Sequence, residues 1–249
     1  MRRTSTISAP LIALTACTGL LSAQDVPDRW NVEVEMGLNG ASGNSSFTIL
    51  RTGATITLLQ SESLEFEMAG LVRYGKNEEK VIADDAKAGL KLDLWPTATL
   101  SPFLFVDWSR DAIRKLDARA SGGAGGKYTF WSGEEGKASV SAAALFDYQN
   151  FQVEPGTSTT ASESNARWSV MTKLQKKLAE GATFQHVMTY QPTFDQVSDY
   201  VLALTHSVTT RVVGNVSLSV EHEYLRDSVP PPGALADDQK FSVLLKVSF

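Results

Sequence analysis

From Trp30 to Phe249 the sequence alternates apolar and polar side chains with a period of two, broken by short polar connections and resumed about twelve times. Successive side chains on a strand point to opposite faces, so this pattern describes two-faced strands. Trp30, Val32, Val34, Met36 and Leu38 alternate with Asn31, Glu33, Glu35, Gly37 and Asn39. The apolar phase returns in Leu50–Leu58, Leu64–Tyr74, Ala86–Leu94 and Leu100–Trp108, then in a weaker Gly-rich stretch closing on Tyr128 and Phe130. It continues in Ala138–Tyr148, Ala166–Leu174, Phe184–Tyr190, Tyr200–Val208, Val216–Tyr224 and Phe241–Phe249. Hydrophobic residues make up 43% of the chain. Yet after the first segment no apolar run reaches the ~18 residues that a membrane helix needs. Apolar side chains that are abundant but interrupted at every second position fit a barrel wall, with lipid outside and polar groups within. The fold class expected is therefore all-β: an antiparallel transmembrane β-barrel of about twelve strands.

The connections give a second, independent signal. Gln60–Ser63, Pro96–Thr97, Ser132–Gly136, Lys176–Gly181 and Thr209–Arg211 read as short turns. Between them fall longer stretches rich in Pro, Gly, Ser and charge: Gly40–Ser46, Gly75–Lys80, Arg110–Lys115, Gln149–Glu163, Gln191–Gln196 and Leu225–Gln239. A soluble β protein with uneven loops does not predict that alternation, whereas an outer-membrane barrel does. With both termini on the short-turn side, Tyr74, Trp108, Tyr148, Trp168, Tyr190, Tyr200 and Tyr224 gather at the long-loop side. Trp30, Trp95, Phe130 and Phe249 gather at the other, giving the two interfacial girdles of a membrane barrel.

Residues 1–23 read as a leader rather than structure. Arg2 and Arg3 precede a short apolar stretch ending at Leu21-Ser22-Ala23, with cleavage expected after Ala23, which leaves 24–249 as the barrel domain. Leu14-Thr15-Ala16-Cys17 offers a rival lipidation reading at Cys17, the single cysteine. Loss of Arg2 and Arg3, with no acid lost, moves the net charge from −5 to −7, which argues against a nucleic-acid partner. No disulfide is available after cleavage, so burial and strand pairing must supply the stability.

Two stretches resemble known proteins. Phe241–Phe249 looks like the terminal strand of outer-membrane barrels, whose final aromatic, here Phe249, is read by the barrel-assembly machinery. Trp30, Met36-Gly37-Leu38, Ser42-Gly43-Asn44-Ser45 and the Ser121–Phe130 stretch resemble the salt-induced outer-membrane protein family, domain of unknown function 481. The resemblance implies a bacterial outer-membrane location, lipid and the assembly machinery as partners, and a stress-related setting, but no activity. It sets no oligomeric state.

The phase opposite the girdles should face the lumen. It carries Glu33, Glu35, Glu65, Glu67, Asp85, Asp93, Asp107, Asp117, Asp147, Glu221 and Glu223. It also carries Arg51, Arg73, Lys87, Lys91, Arg119, Lys127, Lys137, Arg167, Lys173, Lys240 and Lys246. Signs change between neighbouring strands, so the charges should pair. A strongly selective pore should show an excess of one sign. The expectation is a non-enzymatic envelope barrel with a charge-paired, narrow lumen and a structural or stress-adaptation role. A small ion or solute channel using the same charges is the alternative. An envelope lipase is a third reading.

No residue set proves a chemistry. His186, His206 and His222 fall in the lipid-side phase, with His206 and His222 read toward strand ends and His186 nearer the middle, where it suggests a subunit contact. Outer-membrane phospholipases place a nucleophilic Ser two residues after the His. Here Met188, Val208 and Tyr224 stand there instead. Ser207 directly follows His206 and so points to the other face. Three histidines without cysteine or local carboxylates give no metal signal. Gly122–Gly126 lacks the Lys-Ser/Thr ending of a phosphate loop and suits close packing in the wall, and no cofactor is implied. Pro102, Phe103 and Phe105 fit the fifth strand poorly, and the two rings suggest a lumen plug.

Overall fold

The computed structural model describes residues 30–41, 47–78, 80–152, 162–231 and 233–249. The leader with Ala23 and Cys17, the Ser42–Ser45 stretch and most of Gln149–Glu163 lie outside them. The alternating segments form twelve strands. The first six are β1 (Trp30–Ala41), β2 (Phe47–Ser61), β3 (Leu64–Asn77), β4 (Lys80–Leu94), β5 (Leu100–Asp111) and β6 (Leu116–Gly133). The rest are β7 (Gly136–Phe151), β8 (Ser162–Ala179), β9 (Ala182–Pro192), β10 (Tyr200–Val213), β11 (Val216–Asp227) and β12 (Asp237–Ser248). Each pairs antiparallel with its chain neighbours, and β1 pairs with β12 to close the barrel. Closure leaves no edge strand, the condition for a sheet to cross hydrocarbon with its backbone satisfied.

The outer face is apolar around most of the circumference, interrupted by the outward-phase His186, His206 and His222 on β9–β11. Met36, Val72, Leu90, Val106, Phe146, Val170, Val220 and Leu245 are all exposed. A water-soluble monomer rarely exposes a contiguous apolar patch larger than a few hundred Å². This band requires lipid. Tyr74, Trp108, Tyr148 and Trp168 are exposed on its long-connection side, and Trp30, Trp95, Phe130 and Phe249 on the other. The strands run from 11 to 18 residues, enough for the ~9–11 residues a tilted membrane strand needs.

The turns differ from expectation in three places. β8 runs through Lys176 to Ala179, leaving Glu180-Gly181 as the turn to β9. β10 runs through Thr209–Arg211 to Val213, and the turn to β11 is Gly214-Asn215, with Gly214 at φ +51° as a tight two-residue hairpin favours. Only Glu78 and Glu79 separate β3 from β4, so that connection is short although it lies on the long-loop side. The Gly-rich segment, read as the weakest strand, is one of the two longest, at 18 residues. Its glycines serve packing. A Cβ on Gly125 would lie 2.3 Å from the Ala142 carbonyl oxygen, and one on Gly123 would lie 2.9 Å from the Phe105 ring. Pro102 pairs with Gly126 on the lipid-facing side of β5. Asp117 sits at a bulge in the β6–β7 ladder and is exposed, so it leaves the set of lumen charges read from phase.

The seam is the shortest ladder. β1 and β2 pair over Trp30–Ala41 and β11 and β12 over Val216–Arg226, but β1 meets β12 only over Glu33–Met36. Backbone bonds between Val32 and Phe249, at 2.8 and 3.1 Å, fasten its lower end.

Candidate functional site

Parity decides which side chains can meet inside. Glu33 and Glu35 on β1, Arg51 on β2, Arg73 on β3, Glu221 and Glu223 on β11, and Lys240 and Lys246 on β12 all occupy the inward phase. The seam brings their strands together. Lys246 donates to Glu33 at 3.0 Å and lies 3.5 Å from Glu35, directly across the seam. Arg51 contacts Glu35 at 2.8 Å on the neighbouring strand. It then reaches past β1 and β12 to Glu221 at 2.6 Å and Glu223 at 2.7 Å. Arg73 joins Asp85 to Glu223, each at 3.2 Å, and Lys240 comes within 3.5 Å of Asp85 and 3.8 Å of Asp111. Contacts that skip intervening strands can form only through the interior. The network therefore sits in the lumen and cuts across it on the seam side.

Between Lys240 and Lys246 the same side is filled: Leu244 on β12 and its cross-strand partner Ser219 on β11 are completely buried. Burial weakens screening and strengthens each pair, and the forked guanidinium of Arg51 can serve three carboxylates at once.

A second cluster lies on the far wall. Asp147, fully buried on β7, receives Arg167 from β8 at 3.1 Å and Gln149 at 2.7 Å, and Arg119 from β6 lies 3.5 Å away. Arg167 also reaches Asp199 at 3.2 Å in the β9–β10 connection. Near the short-turn end Asp93 takes Lys91 at 2.5 Å and Lys127 at 3.3 Å. The Lys91 ammonium lies 5.1 Å from the centre of the Phe103 ring, and Phe103 packs 6.1 Å from Phe105. These two rings fill a corner of the lumen rather than its whole width. Among the described residues Glu65, Glu67, Lys87 and Lys173 make no ion pair, and Lys87 and Lys173 are exposed.

The inward wall of β9 and β10 is uncharged, matching the gap between Lys173 and Glu221 in the charges of the inward phase. Thr183, Gln185, Val187, Thr189 and Gln191 line it from β9, and Val201, Ala203, Thr205, Ser207 and Thr209 from β10. Every one of the β9 residues is partly accessible, from one end of the strand to the other. Two cavities touch this wall only at its long-connection end, the larger at Thr189, Gln191, Val201 and Ala203 and the smaller at Gln191 alone. The larger, of about 580 Å³, reaches Arg114 and Pro231 on the long-connection side and is also lined by Glu33, Glu35, Arg51 and Lys246 of the seam network. The smaller, of about 240 Å³, reaches Lys91, Phe103 and Met171 toward the short turns. Both are lined by Ala69, Gly89, Asp107 and Gln191, so they meet. Residues read poorly from sequence, Arg114 with Asp227 at 3.2 Å and Asp199 with Arg167, lie at or just beyond strand ends, where parity no longer signals direction.

The histidines correct an expectation. His206 is the seventh of the 14 residues of β10, His222 the seventh of 12 in β11 and His186 the fifth of 11 in β9, so all three lie mid-strand. Ser207 faces the lumen while His206 faces out, so no Ser–His pair forms.

Residues 34–249 match the family described as Protein of unknown function, DUF481. The chain belongs to this family. The fold of this DUF481 member is similar to the NanC porin, with a TM-score of 0.52 and 9% identity over 88% of this chain and 98% of that one. It is also similar to the translocator domain of the autotransporter NalP from Neisseria meningitidis, with a TM-score of 0.50 and 9% identity over 91% and 90% of the two chains. At such identities the likeness concerns the barrel fold. No curated protein matches the sequence.

Proposed function

We propose that this protein is a non-enzymatic channel of the bacterial outer membrane, with the short turns in the periplasm, that passes ions or small polar solutes. In this reading the seam-side network holds the barrel closed on itself, and the solute path runs between those charges and the uncharged wall of β9 and β10. The observation that carries the reading is the partial accessibility of the inward face of β9 together with two cavities that share Ala69, Gly89, Asp107 and Gln191 as lining. Their volumes suit molecules of monosaccharide size or smaller. The NanC porin's similar fold supports a channel without fixing the solute. A wall of Thr, Gln, Val and Ala offers hydrogen bonds without a field of one sign, so the path should discriminate weakly between cations and anions.

A second reading, a closed structural barrel with a stress-adaptation role, is favoured by the lumen-crossing contacts of Arg51. Single-channel recording in a planar bilayer separates the two, once heat-dependent gel mobility shows that the protein has folded. The channel gives discrete conductance steps with a reversal potential near zero in a salt gradient. A folded, inserted and silent barrel supports the closed form and rejects the channel.

A further inference from the structure

The β5–β6 turn and the end of β11 stand on opposite sides of the barrel mouth. Round the closed circle, β4, β3, β2, β1 and β12 separate β5 from β11 one way, and β7, β8, β9 and β10 separate β6 from β11 the other way. Yet Arg114 in that turn donates to Asp227, the last residue of β11, at 3.2 Å. Such a contact has to span the mouth. Two more run the same way. Lys240 on β12 comes within 3.8 Å of Asp111 at the end of β5. The Lys115 ammonium lies so close to Gly233 that a Cβ added there would stand 2.9 Å from it. Asp111, Arg114, Asp227 and Pro231 all line the larger cavity, so these contacts roof its long-connection end. Both ends of the central pair are braced. The Arg114 amide donates to the Asp111 carboxylate at 3.1 Å, and the Ala112 amide to the Asp84 carbonyl at 2.9 Å. Asp227 takes Arg114 on one carboxylate oxygen and the Val229 amide on the other, at 3.2 Å each, and its own amide donates to the Ala236 carbonyl at 2.8 Å. The two side chains are only 16% and 18% exposed, so salt screens the pair weakly.

We propose that Arg114 and Asp227 form a fixed bar across the long-connection mouth and set the largest solute that enters the cavity from that side. The bar is narrower in consequence than the barrel itself: a solute passes beside the pair, not through the full bore. It carries one charge of each sign, so it sorts by size and adds no ring of one charge. A pair whose two ends are tied to the neighbouring backbone holds its place without reordering long free side chains, the usual cost of an exposed ion pair. As the entry filter of a channel the bar rests on the channel reading. As the roof of the larger cavity it stands whether or not the lumen conducts.

A reporter cysteine beneath the bar tests it, in a chain whose only native cysteine, Cys17, is changed to Ser. Ala203→Cys serves, since Ala203 lines the larger cavity from β10. Bacterial cells carrying the folded protein are treated with thiol reagents of increasing size, the bulkier of which reach the cavity only from outside the cell. Small reagents should label the reporter in every background. A bulky reagent should react several-fold faster once Arg114→Ala and Asp227→Ala are combined, and the size limit should rise. Asp227→Ala alone, which breaks the bar from the other side of the mouth, should raise it too. An unchanged size limit in a double variant with normal heat-dependent gel mobility would overturn the proposal and leave the pair as a tie between two connections. Planar-bilayer recording of the same variants keeps the two readings apart. A larger unit conductance supports the bar as a channel's filter, whereas a silent barrel with a raised size limit rejects the channel and retains the bar.

Discussion

Arg51 is the residue on which the interior turns. It is buried and contacts Glu35, Glu221 and Glu223, carried by strands on both sides of the seam. Removing it leaves three carboxylates confined together. Arg51→Gln should therefore destabilise the barrel by about 3–5 kcal/mol, the usual cost of breaking a buried pair from one side. Urea titration followed by gel mobility would measure it, and an unchanged midpoint would show that water already satisfies those carboxylates. Gly125 gives a second test at this scale. An added Cβ meets backbone, not a movable side-chain tip, so Gly125→Ala should cost about 1–3 kcal/mol by overpacking. Gly126→Ala has room, its Cβ meeting only the end of the Leu100 side chain at 3.9 Å, and should be nearly neutral in the same assay. The inward direction of Arg51 and Glu221 was legible from parity alone. That they touch was not, because it depends on closure bringing β2 and β11 within reach across two other strands.

At the scale of the strand, alternation records a difference between two environments, and it fades where that difference ends. β10 shows this: from Tyr200 to Val208 lipid and lumen impose opposite demands, but Thr209–Arg211 reads as a turn although the strand continues to Val213. Beyond the hydrocarbon both faces meet water, so no pattern marks the remaining ladder. The histidines show the same limit: sequence gives His186, His206 and His222 their face, but only register makes them cross-strand neighbours. The two faces should respond differently to charge. Leu90→Arg, facing lipid in β4, should cost about 2–4 kcal/mol near the midplane. Thr205→Arg, on the uncharged inward wall of β10, should leave stability within about 1 kcal/mol, as lumen substitutions tune selectivity instead. It should shift the reversal potential toward anions. Equal destabilisation by the two substitutions would show that the inward wall is not wet.

At the scale of the whole molecule, the barrel places its closing charges and its uncharged inward wall on different strands. The seam between β1 and β12 pairs over only four residues of each strand. The ion pairs of Lys246, Arg51 and Lys240 add cross-links where the ladder is thin. Charges spread over the full circumference would have obstructed the lumen. Carried by the other strands, they leave β9 and β10 clear. The even sign balance, which in the sequence points to a plug, is accounted for by stapling and does not require a closed lumen. Fold class, strand number and girdles were legible because each follows from local periodicity. The gap in charge over β9 and β10 was legible too, but the division between that wall and a stapled seam was not, since it is a property of the closed circle.

The most direct test of that division is a cysteine scan of β9 from Ala182 to Gln191 in the inserted protein, read with a membrane-impermeant thiol reagent small enough to enter the lumen. Thr183, Gln185, Val187, Thr189 and Gln191 should label when changed to Cys, and Phe184, His186 and Met188 should not. Labelling at Thr183 and Gln191 but not at Val187 would mean that the passage is blocked at mid-height and that the barrel is a closed structural element.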